Sequence, residues 1–409
     1  MNYNETLQYI HSLGNFSLPA GLERIKEVLS KLGNPQNSFK SIHIAGTNGK
    51  GSVTTMVSSV FMKAGYKTGT FISPFIIDFR ERIQINGEYI FQEDLVTYAE
   101  RIKKTETKLT EFEFVTALAF LYFREKEIDV LVCETGLGGR FDATNTLENL
   151  YCTVITKIGL DHTAVLGESI EKITEEKCGI LRKCPAVTSP LQEKGALAVI
   201  KNRAENLIVP DFKEVVIKQT DISGSTFIYK GDEFRINLGG EYQIENALVS
   251  LETIYNSGCN IPYNIIYKGL ESAEFPARLE VISKKPLIIL DGAHNPDGAK
   301  VLSEELKKYD GKVIAIIGMM KDKNVDDVLK ETLRYCALAV AVTVPDMPRS
   351  MSAQELKNKA EKYCNCVKAE DLSKAINIAI KENDNAPIFV FGSLYLASQI
   401  RPFLKKKVI

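Results

Sequence analysis

Neither sign of charge dominates this chain: 51 lysines and arginines stand against 52 aspartates and glutamates, for a formal net charge of -1. A nucleic-acid binder or a membrane-surface protein needs a basic excess, so neither class is expected. Long apolar runs are missing too. Stretches such as Val313–Ile317 are far too short to span a bilayer. The opening residues Met1-Asn2-Tyr3-Asn4-Glu5 lack the basic start and apolar core of a secretory signal, so a cytoplasmic protein is expected. The eight cysteines show no metal-type pairing, and Cys364-Asn365-Cys366 is the one close pair. They read as buried free thiols of a reducing compartment, without zinc. Low-complexity tracts are absent as well. What remains is an ordinary globular composition, 44% hydrophobic and 25% charged, in 409 residues, enough for two domains.

Strands alternate with amphipathic helices through most of the chain. Leu22, Ile25, Val28, Leu29 and Leu32 form a helical stripe that Gly33 ends. The pattern predicts a strand at 70–72, a hairpin at 83–90 around Asn86-Gly87, and a helix from about Glu113 to Lys126. Segments 128–133 and 151–156 are apolar and β-branched, as buried parallel strands should be. Residues 215–238 alternate polar and apolar around Gly224 and Gly231, which predicts an antiparallel meander on the edge of the first domain. Around Phe275-Pro276-Ala277 the pattern breaks. A new strand–helix series begins at 279–282 and 287–290, with further strands at 313–317, 338–344 and 388–391. The expected class is α/β: a phosphate-loop domain over residues 1–275, mainly parallel with a small antiparallel sheet, and a smaller Rossmann-like α/β domain over 280–409. Ligands of such folds sit at the carboxyl ends of the strands.

The most informative segment is residues 41–52. A β-branched strand runs into Gly46-Thr47-Asn48-Gly49-Lys50-Gly51-Ser52, and a helical pattern of Val53, Met56, Val57, Val60 and Phe61 follows at once. Glycines let the backbone turn tightly and aim its N–H groups at an anion, and the positive end of the helix adds to that field. Lys50 can reach terminal phosphates, and the Ser52 hydroxyl suits magnesium. Position 44 is Ile and Gly51 separates Lys50 from Ser52, so the full phosphate-loop spacing is not met. A plain glycine-rich turn with an exposed lysine is the competing reading, and the flanking strand and helix favour nucleotide phosphate.

Further clusters fall at strand ends. Glu134 closes the strand Val130-Leu131-Val132-Cys133 and precedes Thr135-Gly136-Leu137-Gly138-Gly139-Arg140. A carboxylate there is a natural magnesium ligand, against a Glu paired with Arg140. At Asp161-His162, metal ligation and a structural imidazole compete evenly. Lys177, on a helix, reads as a solvated lysine by pattern alone. Asn246 could read an adenine edge and Arg278 could grip a phosphate, but a helix cap and a surface ion pair explain them as well. Asp291-Gly292-Ala293-His294-Asn295-Pro296 gathers an acid and a histidine at one strand tip, which favours a ligand site over a turn.

Taken in order, Gly46–Ser52, Ser73-Pro74, Glu81-Arg82-Ile83, Glu134–Arg140, Asp142-Ala143-Thr144-Asn145, Asp161-His162, Asp291–Gly298 and Gly392-Ser393-Leu394-Tyr395-Leu396 resemble the folylpolyglutamate synthases, the folate-specific branch of the muramyl ligase superfamily. The resemblance covers nearly the whole chain. It implies an ATP-dependent ligase that adds L-glutamate to folate through an acyl phosphate. It further implies phosphate contacts at Gly49, Lys50, Gly51 and Ser52, and nucleotide contacts at Asn246, Arg278 and Asp291. Magnesium ligands fall on Ser73, Glu134 and His162, with two ions expected and a monovalent cation as a further partner. Lys177 matches a lysine that the family carbamylates, and His294 a residue near the incoming glutamate. The pterin maps to Thr110, Glu111, Phe112 and Glu113 and to Phe141, Asp142 and Ala143. Two departures stand out: Phe75 where many members carry His, and Ala277 where Gly is common. Rival readings are a dihydropteroate-using enzyme of the same family, a cell-wall amino-acid ligase and a nucleotide-binding regulatory module. A monomer is expected.

Overall fold

The computed structural model describes residues 1–14, 18–75, 78–383 and 385–408. By contacts the chain divides into two compact units, one of residues 1–217, 226–236 and 243–274, the other of residues 218–225, 237–242 and 275–409. Part of the meander, expected on the first domain, thus groups with the second unit. Each unit carries a largely parallel sheet, so the α/β class holds.

The larger sheet contains eight strands: β1 (Lys40–Ala45), β2 (Thr68–Phe71), β3 (Ile83–Ile85), β4 (Glu88–Tyr89), β5 (Val130–Glu134), β6 (Leu150–Ile155), β7 (Ala186–Thr188) and β8 (Leu207–Ile208). Their order is β4-β3-β2-β5-β1-β6-β7-β8. Every pairing from β2 to β8 is parallel; β3 turns back antiparallel between β2 and β4, around Asn86 and Gly87, which both adopt positive φ. β1 and β5 are buried along nearly their whole length, as central strands of a parallel sheet are when both faces are covered.

Register places the chemistry. Ile44 of β1 pairs with Glu134 of β5, and Phe71 of β2 pairs with Cys133. The loop that leaves β1 at Gly46, the carboxylate that ends β5 and the Ser73 turn after β2 therefore emerge side by side. The helix Lys50–Lys63 buries Val53, Met56, Val57, Val60 and Phe61, the stripe read from the sequence. The helix Glu111–Glu125 begins two residues earlier than expected, where Thr110 and Glu113 form a reciprocal capping box.

A three-stranded sheet, β9 (Val216–Asp221), β10 (Gly224–Tyr229) and β11 (Asp232–Ile236), forms the meander, in the order β11-β10-β9. The second unit contributes β12 (Glu280–Lys284), β13 (Leu287–Leu290), β14 (Val313–Ile317), β15 (Cys336–Ala341), β16 (Asn365–Lys368) and β17 (Ile388–Phe391) in the order β12-β13-β17-β14-β15-β16. Two features differ from expectation. β12 and β13 pair antiparallel across a short turn, with no helix between them. β16 carries Cys366 as its one buried residue, too little apolar signal to read as a strand. All eight cysteines are free thiols, five of them buried. Among the described residues no helix is long and apolar enough to cross a membrane.

Candidate active site

The Gly46–Ser52 loop is built by close approaches that only glycine permits. A Cβ on Gly46 would lie 1.8 Å from Thr156 Oγ1, and one on Gly49, at φ 91°, would lie 2.3 Å from Asn246 Oδ1. The backbone N–H groups of Thr47 and Asn48 both donate to the Lys157 carbonyl at 3.0 Å, which ties the loop to the segment after β6.

Two lysines converge here. Lys50 Nζ donates to the Gly46 carbonyl at 3.2 Å and stands 3.8 Å from Glu134 Oε1. Lys177, expected from pattern alone to be solvated, is instead buried, and its Nζ donates to the same Gly46 carbonyl at 2.6 Å. Burial, with the Lys50 cation second, brings the Lys177 ammonium down to about 7. The loop before Arg140 makes room for this helix end: a Cβ on Gly139 would lie 2.6 Å from the Lys177 carbonyl oxygen.

Glu134 is buried at the tip of β5 and accepts the Ser73 N–H at 3.4 Å. Ser52 is buried in the first turn of the helix. These are hard oxygen donors beside a cation, a set that suits Mg²⁺, which is held by one or two carboxylates together with substrate phosphates. His162 sits differently. It is in the left-handed region at φ 51°, its side chain is 47% exposed, and its Nε2 is 3.9 Å from Asp161 Oδ2. Among the described residues no three His, Cys, Asp or Glu side chains cluster as a metal cage.

The segments expected to meet the pterin are partly occupied with local structure. Thr110 and Glu113 cap their helix, and Glu113 also pairs with Arg24 at 2.9 Å. Glu111 is buried with His11 Nδ1 at 3.3 Å and Arg82 at 3.7 Å. Phe112 lies against the backbone of Gly136, where a Cβ would come within 2.5 Å of the ring. Asp142 is buried. Its Oδ1 accepts from Thr144 N at 3.0 Å and Thr144 Oγ1 at 2.5 Å, and its Oδ2 from Leu137 N at 2.8 Å. Burial raises the Asp142 pKa against these donors. Phe141 is 52% exposed and Ala143 is buried.

Behind Asp142 lies a residue the sequence did not single out. His43, in mid-β1, is fully buried, and its Nε2 meets Thr144 Oγ1 at 2.8 Å. Burial drives its pKa down to about 3, so the ring is neutral. Thr144 gives its hydroxyl proton to Asp142, so His43 Nε2–H is the donor to Thr144. A histidine between two isoleucines in mid-strand was the available signal.

In the second unit Asp291 follows β13 and is buried. Its carboxylate accepts the N–H groups of Leu279 (2.9 Å) and Ala293 (2.8 Å), and burial raises its pKa although Arg278 opposes the shift. His294 Nδ1–H donates to the Gly292 carbonyl at 2.8 Å, which makes Nε2 the basic nitrogen of the neutral ring. Arg278 lies between Ala277 (φ 55°) and Leu279 (φ 48°), both buried and both left-handed. Each costs about 1–2 kcal/mol in that region. The left-handed φ at Ala277 is the physical reason a glycine suits this position. In the first unit, Asn246 is buried, and its Nδ2 donates to Gln243 Oε1 at 2.9 Å.

Both halves of the chain match Mur ligases: the Mur ligase middle domain over residues 44–254, and the Mur ligase glutamate ligase domain over 277–394. Among proteins with assigned names, the dihydrofolate synthase/folylpolyglutamate synthase of Bacillus subtilis is 36% identical, over 98% of this chain and 99% of that protein. The folylpolyglutamate synthase of Lacticaseibacillus casei is 34% identical, over 99% of each. Of solved structures, Escherichia coli FolC in complex with DHPP and ADP aligns at a TM-score of 0.89 with 28% identity, over 100% of this chain and 98% of that one. Mycobacterium tuberculosis folylpolyglutamate synthase complexed with ADP and AMPPCP aligns at 0.87 with 29% identity, over 98% and 99%. The chain belongs to the folylpolyglutamate synthase/dihydrofolate synthase family of Mur ligases.

Proposed function

We propose that this protein is an ATP-dependent ligase that adds L-glutamate to the terminal glutamate of a reduced folate, releasing ADP and phosphate. The observation that carries the reading is the convergence of Lys50, Lys177, Ser73 and Glu134 around the Gly46–Ser52 turn.

A carboxylate is a poor acyl donor, so the reaction first needs the γ-phosphoryl of ATP on the folate's terminal carboxylate. Two anions must meet in that step. The Lys50 ammonium and the N–H groups of Gly49, Lys50, Gly51 and Ser52 lower their repulsion and hold the phosphates. Ser52, Ser73 and Glu134 would hold Mg²⁺, with His162 as a further ligand, and the ion when bound draws charge from the phosphate oxygens. The α-amine of glutamate then attacks the acyl carbon. A C–N bond forms, the C–O bond to phosphate breaks, and the amine's proton goes to a base, for which His294 Nε2 is our candidate.

Lys177 fits a carbamate. A neutral amine adds to carbon dioxide, forming an N–C bond and losing a proton, and an ammonium cannot. A lysine titrating near 7 supplies that amine at working pH. The product is an oxygen donor beside the phosphate loop, suited to a second magnesium ion. Asn246, Arg278 and Asp291 are assigned to the nucleotide. Phe141, with the loop shaped by Asp142 and Ala143, and Phe112 are assigned to the pterin. We place the enzyme in the cytoplasm as a monomer.

The test is ADP release from purified protein with ATP, glutamate and tetrahydrofolate, and the mass of the folate product. Release that needs glutamate and folate together, with product heavier by one glutamyl residue, is expected. Release indifferent to folate would remove the reading. Dihydropteroate is a second substrate to include, since the Bacillus subtilis relative carries both activities in its name.

A further inference from the structure

Arg278 is held by its neighbours rather than by a regular element. The two residues beside it, Ala277 and Leu279, are buried in the left-handed region, at φ 55° and 48°. Neither is glycine, and a leucine there is rare. Such a conformation persists only where the surroundings over-determine it. Two carboxylates do so. Asp291 takes the Leu279 N–H at 2.9 Å, and Glu280 Oε2 takes the Ala277 N–H at 3.0 Å. The Ala277 carbonyl is fixed as well, by the Gly292 N–H at 2.8 Å.

Asp291 is anchored in its own loop. Glu280 is anchored from far along the chain. Arg401, on the helix Leu394–Val408, grips both its oxygens: Nε lies 2.9 Å from Oε1 and 3.0 Å from Oε2, and Nη2 lies 2.7 Å from Oε1. Both side chains are only 19% exposed, so the fork is partly shielded from water. A guanidinium on a carboxylate in this geometry fixes orientation as well as distance.

We infer that Arg401 is a positioning residue: through Glu280 it holds the left-handed backbone of Ala277 and thereby aims Arg278. The inference rests on the assignment of Arg278 to the nucleotide given above.

The test compares four variants by steady-state kinetics and by calorimetric binding of a non-hydrolysable ATP analogue. Arg278→Ala establishes the baseline. If it leaves the KM for ATP unchanged, the nucleotide assignment fails and the clamp falls with it. Given a raised KM there, Arg401→Met should raise the KM for ATP at least about tenfold and weaken the analogue to match, with the KM for folate unmoved. Arg401→Lys keeps the charge without the fork and should fall between; it also carries the test if the methionine variant does not fold. The double variant Ala277→Gly with Arg401→Met separates positioning from general stability. Glycine enters the left-handed region without help, so ATP affinity should return. An unchanged KM for ATP in the Arg401 variants, despite an effect of Arg278→Ala, would overturn the clamp alone. So would a raised KM that glycine at 277 does not restore.

Discussion

Lys177 and Lys50 share one acceptor: the carbonyl oxygen of Gly46 lies 2.6 Å from the first nitrogen and 3.2 Å from the second. Two ammonium groups so close oppose each other, and the buried one is the one that yields its proton. The strand exit thus holds a cation and a titratable amine on a single backbone oxygen, and the first three predictions concern this pair.

Lys50→Ala should lower turnover by more than the roughly 10²–10³-fold lost with one electrostatic stabiliser, because the proposed site sets the ammonium against the transferring phosphoryl group. Single-turnover formation of ADP, with folding checked by circular dichroism, measures it. Near-normal glutamate incorporation would remove the phosphate-loop assignment.

Lys177→Ala should be nearly inactive and should recover part of its activity with millimolar formate or acetate, whose carboxylate replaces the carbamate. Wild-type protein stripped of carbon dioxide should lose activity and regain it with bicarbonate. Lack of both effects would count against the modified lysine.

The pH dependence of stability has a definite sign. In the unfolded chain Lys177 keeps its proton up to the ordinary 10.5, and in the folded protein only to about 7. Between these values the unfolded state binds the extra proton, so stability rises with pH across the window. Below 7 both states bind it, and the full cost of burying the cation is present. Urea unfolding without carbon dioxide should show wild type gaining on Lys177→Met from about pH 6.5 to about pH 8.5. Parallel curves for the two proteins would refute the shift.

Gly49→Ala should raise the KM for ATP and lower the melting temperature together. Alanine is strained at φ 91° and its Cβ meets Asn246 Oδ1 at 2.3 Å, so either the loop or the amide must move. Backbone strain alone is worth about 1–2 kcal/mol. Gly65→Ala, also at positive φ (89°) but with no atom near its Cβ, supplies the control that separates strain from collision.

Thr144→Val should destabilise the protein by about 1–3 kcal/mol, since it strands the buried His43 N–H and removes a donor from Asp142. Thr144→Ser should cost far less. Equal melting temperatures for the two variants would show that the hydroxyl bridge carries no weight.

Much of this was legible in the residues. The parallel strands announced themselves as short β-branched runs, and the tight turn at Gly46–Gly49 as glycines between a strand and a helix. β14 and β17 fall on the expected residues, Val313–Ile317 and Ile388–Phe391. Lys177 was not legible from pattern. Its helix carries charges on most sides, and its burial comes from the backbone of Gly46, 131 positions earlier. The Glu280–Arg401 fork spans 121 positions and leaves no local trace. β16 escaped because three of its four residues face solvent, and the β12–β13 hairpin because each strand alone suits either pairing.

The carboxylate of Asp142 has practical weight for ligands aimed at the pterin site proposed above. Two oxygens offer about four lone pairs, and the Thr144 N–H, the Thr144 O–H and the Leu137 N–H already engage three of them. A compound whose design depends on a new ionic contact there competes with these local donors for a buried carboxylate. The half-exposed ring of Phe141, one position earlier and assigned above to the pterin, faces no such competition, so flat heterocycles designed to stack on it are the better starting scaffolds.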